Sequence, residues 1–261
     1  MRLVVWDNVC KPKMHGGLGM PSLYALQFAF NCSIIHRMYN CSSSLSSWFI
    51  MRYASPWRST PSYASNFWKA ICSTAVLTKN YFTFKVNPSS NISLHWDHWC
   101  DGTPLSSILG CNDLLHHFDK AASIKVILYG RFWNLPKNTP PSVANIIKNI
   151  PIHESSPISL FWDNSPNGVF ANYLVKFYND LPICSWHHIV WHKTFVLRFS
   201  LFAWLSLVGG LKTTDVLLHR NVQVLLLRGH FSVLLVPSTL YAWMPLSVSE
   251  SQANISLSCK E

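Results

Sequence analysis

PSLYALQFAFNCSIIHRMYN, residues 21–40, carries the period of a helix: Leu23, Leu26, Phe30, Ile34 and Met38 recur at intervals of three or four. That stripe predicts a helix from Pro21 to Tyr39 with these five side chains facing the core, and Pro21 suits its first turn. The serine run Ser42–Ser47 ends it. A second helix is expected over Ser65–Leu77, with Phe67, Trp68, Ile71 and Ala75 on one side. Upstream, Gly16-Gly17-Leu18-Gly19 follows Lys11-Pro12-Lys13 and reads as a turn.

Downstream the period changes to two. Tyr81–Val86 alternates, Asn87-Pro88-Ser89-Ser90-Asn91 signals a turn, and Ile92–Trp96 alternates again, which predicts a hairpin. Ile158–Trp162 and Val169–Tyr173, around Asp163–Gly168, predict a second one. Between them lie a Pro-rich break at Pro136–Pro141 and a short helix over Val143–Ile150. Trp186–Val208 reads as largely helical up to Gly209-Gly210, and Thr213–Arg220 as a further short helix. After about Val222 periodicity is lost. The expected class is α+β and rich in helix, with helical segments flanking two β-hairpins and an irregular C-terminal tail. The expected divisions are a helical segment over residues 1–80, a hairpin-containing connector over 81–135, a further domain over 136–222 and an aberrant tail over 223–261.

The 261 residues are 49% hydrophobic, with 12 Trp and 15 Phe, enough for a sizeable core. Only 12% are charged, against roughly 25% in an ordinary soluble domain. Such a surface suits a piece that packs against something else. The net charge of +10, from 21 basic and 11 acidic residues, makes polyanions the natural partners. The basic residues are scattered singly, however, and much of the excess reflects scarce Glu (Glu154, Glu250 and Glu261).

MRLVVWDNVCKPK lacks the apolar region and cleavage site of a secretory signal. The expected location is therefore intracellular, in cytoplasm or nucleus, with the eight cysteines reduced and the sequons at Asn31, Asn40, Asn91 and Asn254 unused. The apolar stretches Phe195–Leu211 and Val224–Val236 are interrupted by Arg198, and by Arg228 and His230. Both fall short of the roughly 18–20 clean residues of a membrane span, so no membrane association is expected.

Several local signatures stand in one order. Val5-Trp6-Asp7-Asn8-Val9-Cys10-Lys11-Pro12-Lys13 followed by Gly16-Gly17-Leu18-Gly19 resembles the segment just beyond the polymerase domain of plant LINE-type (non-LTR) retrotransposon reverse transcriptases. Asp97-x-Trp99 with Pro104-Leu105 resembles that family's D-x-W…P-L stretch, and Trp162…Gly168-Val169-Phe170 its W…G-x-F hairpin. Trp186…Val190-Trp191, Phe202-x-Trp204-Leu205 and Leu211-x-Thr213-x-Asp215-x-Leu217 resemble the start of its reverse transcriptase zinc-binding region. The likeness covers residues 4 to 222. It implies an accessory region that binds template RNA or target DNA, with the missing polymerase portion of the parent protein as a further partner.

Two departures shape the expectation. In the family a C-x-x-C and a downstream His and Cys follow the last run and hold one structural zinc, whereas here only His230 and Cys259 come after Asn221. The zinc is expected to be lost, residues 136–222 being in this resemblance a truncated reverse transcriptase zinc-binding domain, and the change near Val224 is what a frameshift or mis-splicing would produce. The family's magnesium-binding aspartates lie upstream of the matched segment, and Asp7 is the only acid before Asp97. No polymerase activity, catalytic residue, cofactor or small-molecule substrate is expected.

His95-Trp96-Asp97-His98-Trp99-Cys100-Asp101 is dense in ligand types, but on a strand its donors split between two faces. The plainer account has Trp96 and Trp99 packing while His and Asp meet solvent or cap turns. Cys184, His187, His188 and His192 include a helical i, i+4 pair without the Glu of an H-E-x-x-H site. Cys32 and His36 share that spacing. No metal is expected at any of them, and there is no nucleophile elbow or phosphate loop. The candidate nucleic-acid contacts are Lys11, Lys13, Arg37, Arg52, Arg58 and Lys69, set among Tyr39, Trp48, Tyr53, Trp57 and Trp68, whose rings either stack on bases or form core. The alternative is an inert translated relic or mis-spliced gene product with no biochemical activity.

Overall fold

The computed structural model describes residues 4–153 and 157–211. They form a helix-rich α+β structure with two small antiparallel two-stranded sheets. Contacts group the chain into two units, residues 6–188 and residues 1–5 with 189–261. The expected divisions after residues 80 and 135 fall inside the first. The tail after residue 222 and the helix expected over Thr213–Arg220 lie outside the described residues.

The helices, in order, are α1 (Trp6–Val9), α2 (Leu23–Asn40), α3 (Ser44–Tyr53), α4 (Asn66–Leu77), α5 (Asn112–Leu115), α6 (Pro141–Asn149), α7 (Phe170–Phe177), α8 (His187–Val190) and α9 (Leu197–Leu207). The strands are β1 (Phe82–Phe84), β2 (Leu128–Tyr129), β3 (Phe132–Trp133) and β4 (Leu160–Trp162).

Serine starts three of these helices. The hydroxyls of Ser22, Ser43 and Ser65 accept from the backbone N–H groups of Ala25, Ser46 and Trp68 at 3.1, 3.1 and 3.2 Å. Each satisfies one of the orphan donors of a first turn. The serine run therefore does more than end α2: it caps a helix, α3, that periodicity alone did not reveal.

α2 is the spine of the first unit and packs against α3, α4, α7 and β4. Its buried face differs from the expected stripe. Ala25, Ala29, Cys32, Ile35 and Met38 are buried, whereas Leu23 is 80% exposed and Phe30 52%. Small side chains let neighbouring helices approach closely, so spacing of the largest residues misplaced the face. Against α4, Asn31 Nδ2 donates to Thr74 Oγ1 at 2.9 Å and to Ala70 O at 3.3 Å. α3 closes on α4 through a stack in which Trp68 meets Tyr53 at 4.3 Å and Phe49 at 5.2 Å between ring centroids. Such pairs contribute about 0.5–1.5 kcal/mol beyond their buried area.

Of the four expected strands, those within Tyr81–Val86 and Ile158–Trp162 form and pair with each other, whereas Ile92–Trp96 and Val169–Tyr173 do not become strands. β1 pairs antiparallel with β4, Phe82 opposite Trp162 and Phe84 opposite Leu160. Segment 92–94 turns instead to 122–124, where Leu94 N–H donates to Ala122 O and Ile124 N–H to Ile92 O, both at 2.9 Å. Val169 leads into the helix α7 rather than a return strand. Both turn signals are real: Ser90 N–H donates to Asn87 O at 3.0 Å, and Asp163 and Asn164 adopt positive φ of 50° and 64°. What differs is the long-range pairing. β2 and β3 form a local hairpin through Gly130 and Arg131 that the pattern did not signal. The expected 186–208 helix is also divided, into α8 and α9.

The outer edge of β4 is closed by a side chain. Asn40 Oδ1 accepts from Ser159 N–H at 2.8 Å and Leu160 N–H at 2.9 Å, and Asn40 Nδ2 donates to Leu160 O at 2.7 Å. The last residue of α2 thus stands in for a strand. Nearby, Gly168 lies flush against Tyr173 and His36: a Cβ there would overlap the tyrosine hydroxyl and lie 2.7 Å from His36 Cγ. The buried Tyr173 hydroxyl itself has no hydrogen-bond partner among the described residues.

Two substitutions separate these effects. Gly168→Ala is expected to lower urea-unfolding stability by roughly 1–3 kcal/mol through overpacking. Tyr173→Phe is expected to leave it unchanged or raise it within about 1 kcal/mol, because it removes an unpaired polar group. Equal losses in both variants would contradict this packing.

Candidate nucleic-acid interface

Segment 95–101 is a tight loop rather than a strand; of its two acids Asp101 is exposed, whereas Asp97 does not meet solvent. Asp97 is fully buried. Its Oδ1 accepts from Tyr39 Oη at 2.8 Å and from Ser55 Oγ at 2.5 Å, and its Oδ2 from Ser93 N–H at 2.6 Å. Burial pushes the carboxyl up to about 7 against the pull of these three donors. The acid spends its oxygens on α2, the α3–α4 connector and its own loop. It is held as a structural anchor.

The loop's histidines are also inside. His98 lies edge-on to Trp57 at 4.6 Å and Phe84 at 5.0 Å, with Nε2 3.1 Å from Phe82 O. Burial lowers its pKa to about 4. His95 and His36 are lowered by burial as well. Trp99 packs as expected, stacked on Trp133 at 5.8 Å. Trp96 is half-buried and donates to Lys120 O at 3.0 Å.

The six nominated cations fall in two places. Arg37, Arg52 and Lys69 are exposed on the packed helices α2, α3 and α4, and Arg58 sits in the α3–α4 connector. Arg52 lies over the Tyr63 ring at 4.8 Å and Arg58 over Trp96 at 5.5 Å. Lys11 and Lys13 belong instead to the N-terminal turn, where Lys11 Nζ donates to Asn8 Oδ1 at 2.9 Å. Of the aromatics set beside them in sequence, Tyr39, Tyr53 and Trp68 are core. Trp48, 49% exposed, is the ring among them most open to solvent, and Tyr63 adds another exposed one.

The second His/Cys group does not share a helix, because α8 ends at Val190, before His192. His192 Nδ1 pairs with Thr194 Oγ1 at 3.0 Å, and His187 Nδ1 lies 2.6 Å from Cys184 O. Among the described residues no three His, Cys, Asp or Glu side chains gather around one point. His230 and Cys259 lie outside them. Cys10, Cys32, Cys41, Cys72, Cys100, Cys111 and Cys184 are free thiols, and burial pushes Cys32 up to about 12. Among the described residues no helix is long and apolar enough to cross a membrane.

A cleft of about 370 Å³ opens along β1, lined by Lys79, Lys85, His98, Asp101, Ile150 and His153 among others. Sequence reading missed it. The available signal was the pair Lys79 and Lys85, one just before and one within the alternating run Tyr81–Val86. No protein-family model, curated protein or solved structure matches the chain.

The buried imidazoles make an acid-sensitivity prediction. Between pH 6.5 and about 4 the unfolded chain takes a proton that folded His98 refuses, so this contribution is present above pH 6.5 and lost on acidification. Asp97 acts in the opposite sense: its raised pKa favours the folded state at low pH, and that contribution is lost as pH rises from 3.8 through about 7. His98→Gln removes the acid-labile share alone, so relative to the parent chain its urea midpoint should rise as pH drops from 7 to 5. An unchanged slope in the variant would place the sensitivity elsewhere.

Proposed function

We propose that this chain is an accessory, nucleic-acid-contacting region of a LINE-type reverse transcriptase, serving a polymerase carried by another part of the parent protein. It has no catalytic centre and no structural zinc of its own in this reading. The supporting observation is that motifs far apart in sequence are packed together as a frame. The Gly16-Gly17 turn is tight enough that a Cβ on Gly16 would lie 2.8 Å from Cys184 Sγ and 3.3 Å from the Trp186 ring. Cys184 N–H donates to Met14 O at 2.9 Å across the same junction. Asp97 anchors α2, Trp162 meets Tyr173 edge-on at 4.6 Å, and Gly168 admits His36. These residues carry architecture, which leaves function to the exposed cations.

The inert-relic reading draws on a different observation, that Tyr39, Tyr53 and Trp68 are internal and cannot stack on bases. Filter binding to single-stranded RNA and DNA at two salt concentrations separates the two. The accessory reading expects affinity that falls as salt rises, with Arg37→Ala/Arg52→Ala/Lys69→Ala reducing the log–log slope by about 2, at about 0.7 per phosphate contact. Absence of binding at low salt would leave the relic.

A further inference from the structure

The register of the β1–β4 pair fixes which backbone groups of β1 remain open. Asp163 N–H donates to Tyr81 O at 2.9 Å and Lys85 N–H to Ser159 O at 2.8 Å, with Thr83 opposite Phe161 between them. Tyr81 O, Thr83 and Lys85 N–H are therefore turned to β4, Tyr81 N–H donating instead to Thr78 O, and the backbone groups of Phe82 and Phe84 point to the opposite edge. On that edge Phe82 is satisfied: its N–H donates to Lys79 O, and its carbonyl meets His98 Nε2. Val86 O accepts from His153 N–H at 2.8 Å. Between these two closures the N–H and C=O of Phe84 face the cleft with no hydrogen-bond partner among the described residues.

Adjacent donor and acceptor groups on one extended residue complement a planar ligand edge that offers an acceptor beside an amino donor. Cytosine presents N3 and its N4 amino group in that arrangement, and adenine N1 and its N6 amino group. The open stretch is one residue long, too short for an added peptide strand, which pairs with every second residue of an edge. The volume suits one small ligand, near the lower end of the roughly 300–1,000 Å³ typical of such sites. Lys79 and Asp101 line the same cleft, while the Lys85 ammonium lies over the Phe161 ring at 4.3 Å, so Lys79 is the cation placed to meet an anionic group.

From this geometry we infer that the cleft along β1 is a subsite for a single unpaired nucleotide, its base edge paired with the Phe84 backbone and its phosphate met by Lys79. The inference rests on the nucleic-acid reading above and adds to it the place where a base is held. The probe is cytidine 5′-monophosphate, titrated into the ¹⁵N-labelled full chain and followed by amide resonances, with cytidine and ribose 5-phosphate alongside. The Phe84 amide should shift downfield and saturate with the nucleotide. Lys79→Ala should weaken nucleotide binding about tenfold, the worth of one charge-assisted contact, while leaving cytidine unchanged. A Phe84 amide that stays still at millimolar nucleotide would overturn the inference, as would an equal response to ribose 5-phosphate or to a short extended peptide. Polymer binding with a silent Phe84 sinks this subsite alone. A Phe84 response without salt-dependent polymer binding sinks the accessory role instead.

Discussion

A carboxylate sealed from water constrains the first unit of this chain. An ionised acid in an apolar interior is costly unless donors replace its hydration. Asp97 receives three: a phenol from the last turns of α2, a serine hydroxyl from the connector between α3 and α4, and the backbone of Ser93. Ser55 Oγ also accepts from Trp57 N–H at 3.0 Å, so the same hydroxyl sets the connector's path. Trp57 in turn donates from its indole to Ala75 O at 2.9 Å, reaching α4. Helix, connector and loop are thereby held in one arrangement. The aromatic cluster of Tyr39, Trp57, Phe84 and His98 packs around it.

That arrangement recasts the residues that look chemical in sequence. A run of His, Asp and Cys reads as a ligand set when it is laid out as a strand. Folded as a loop, it turns His98 and Asp97 inward to separate partners, and the same inward turn leaves them unsuited to holding an ion jointly. The glycines at 16, 17 and 168 belong to the same economy: each lies where a side chain would collide with a neighbour distant in sequence or with the turn's own backbone. Groups available to a partner are thus a different set, comprising exposed cations on α2, α3 and α4 and the open backbone edge of β1.

Much of the local structure was legible in sequence. The helix over residues 66–77 follows from its period and from Ser65, and the turns at Asn87–Ser90 and Asp163–Asn164 follow from their own side chains. The helix-rich α+β class followed as well. Partners were not legible. β1 chose β4, some 75 residues on, over the segment beyond its own turn, because the register buries Phe82, Leu160 and Trp162 together and Asn40 closes the far edge. The buried face of α2 was misread for a related cause: three helices and a strand surround it, and the narrow contacts go to Ala25 and Ala29 rather than to Leu23 and Phe30. The open edge at Phe84 is a property of backbone register, which no residue type announces.

The most direct test of the account is a comparison of urea-unfolding free energies for Asp97→Ala and for the triple variant Asp97→Ala/Tyr39→Phe/Ser55→Ala. Removing the carboxylate alone strands two hydroxyls and a backbone N–H in the core, and is expected to cost roughly 3–5 kcal/mol. Removing the two hydroxyls as well should restore part of that loss, because fewer donors remain unpaired. If Asp97→Ala instead unfolds within about 0.5 kcal/mol of the parent chain, the range of an ordinary surface change, the buried carboxylate is not what holds these segments together.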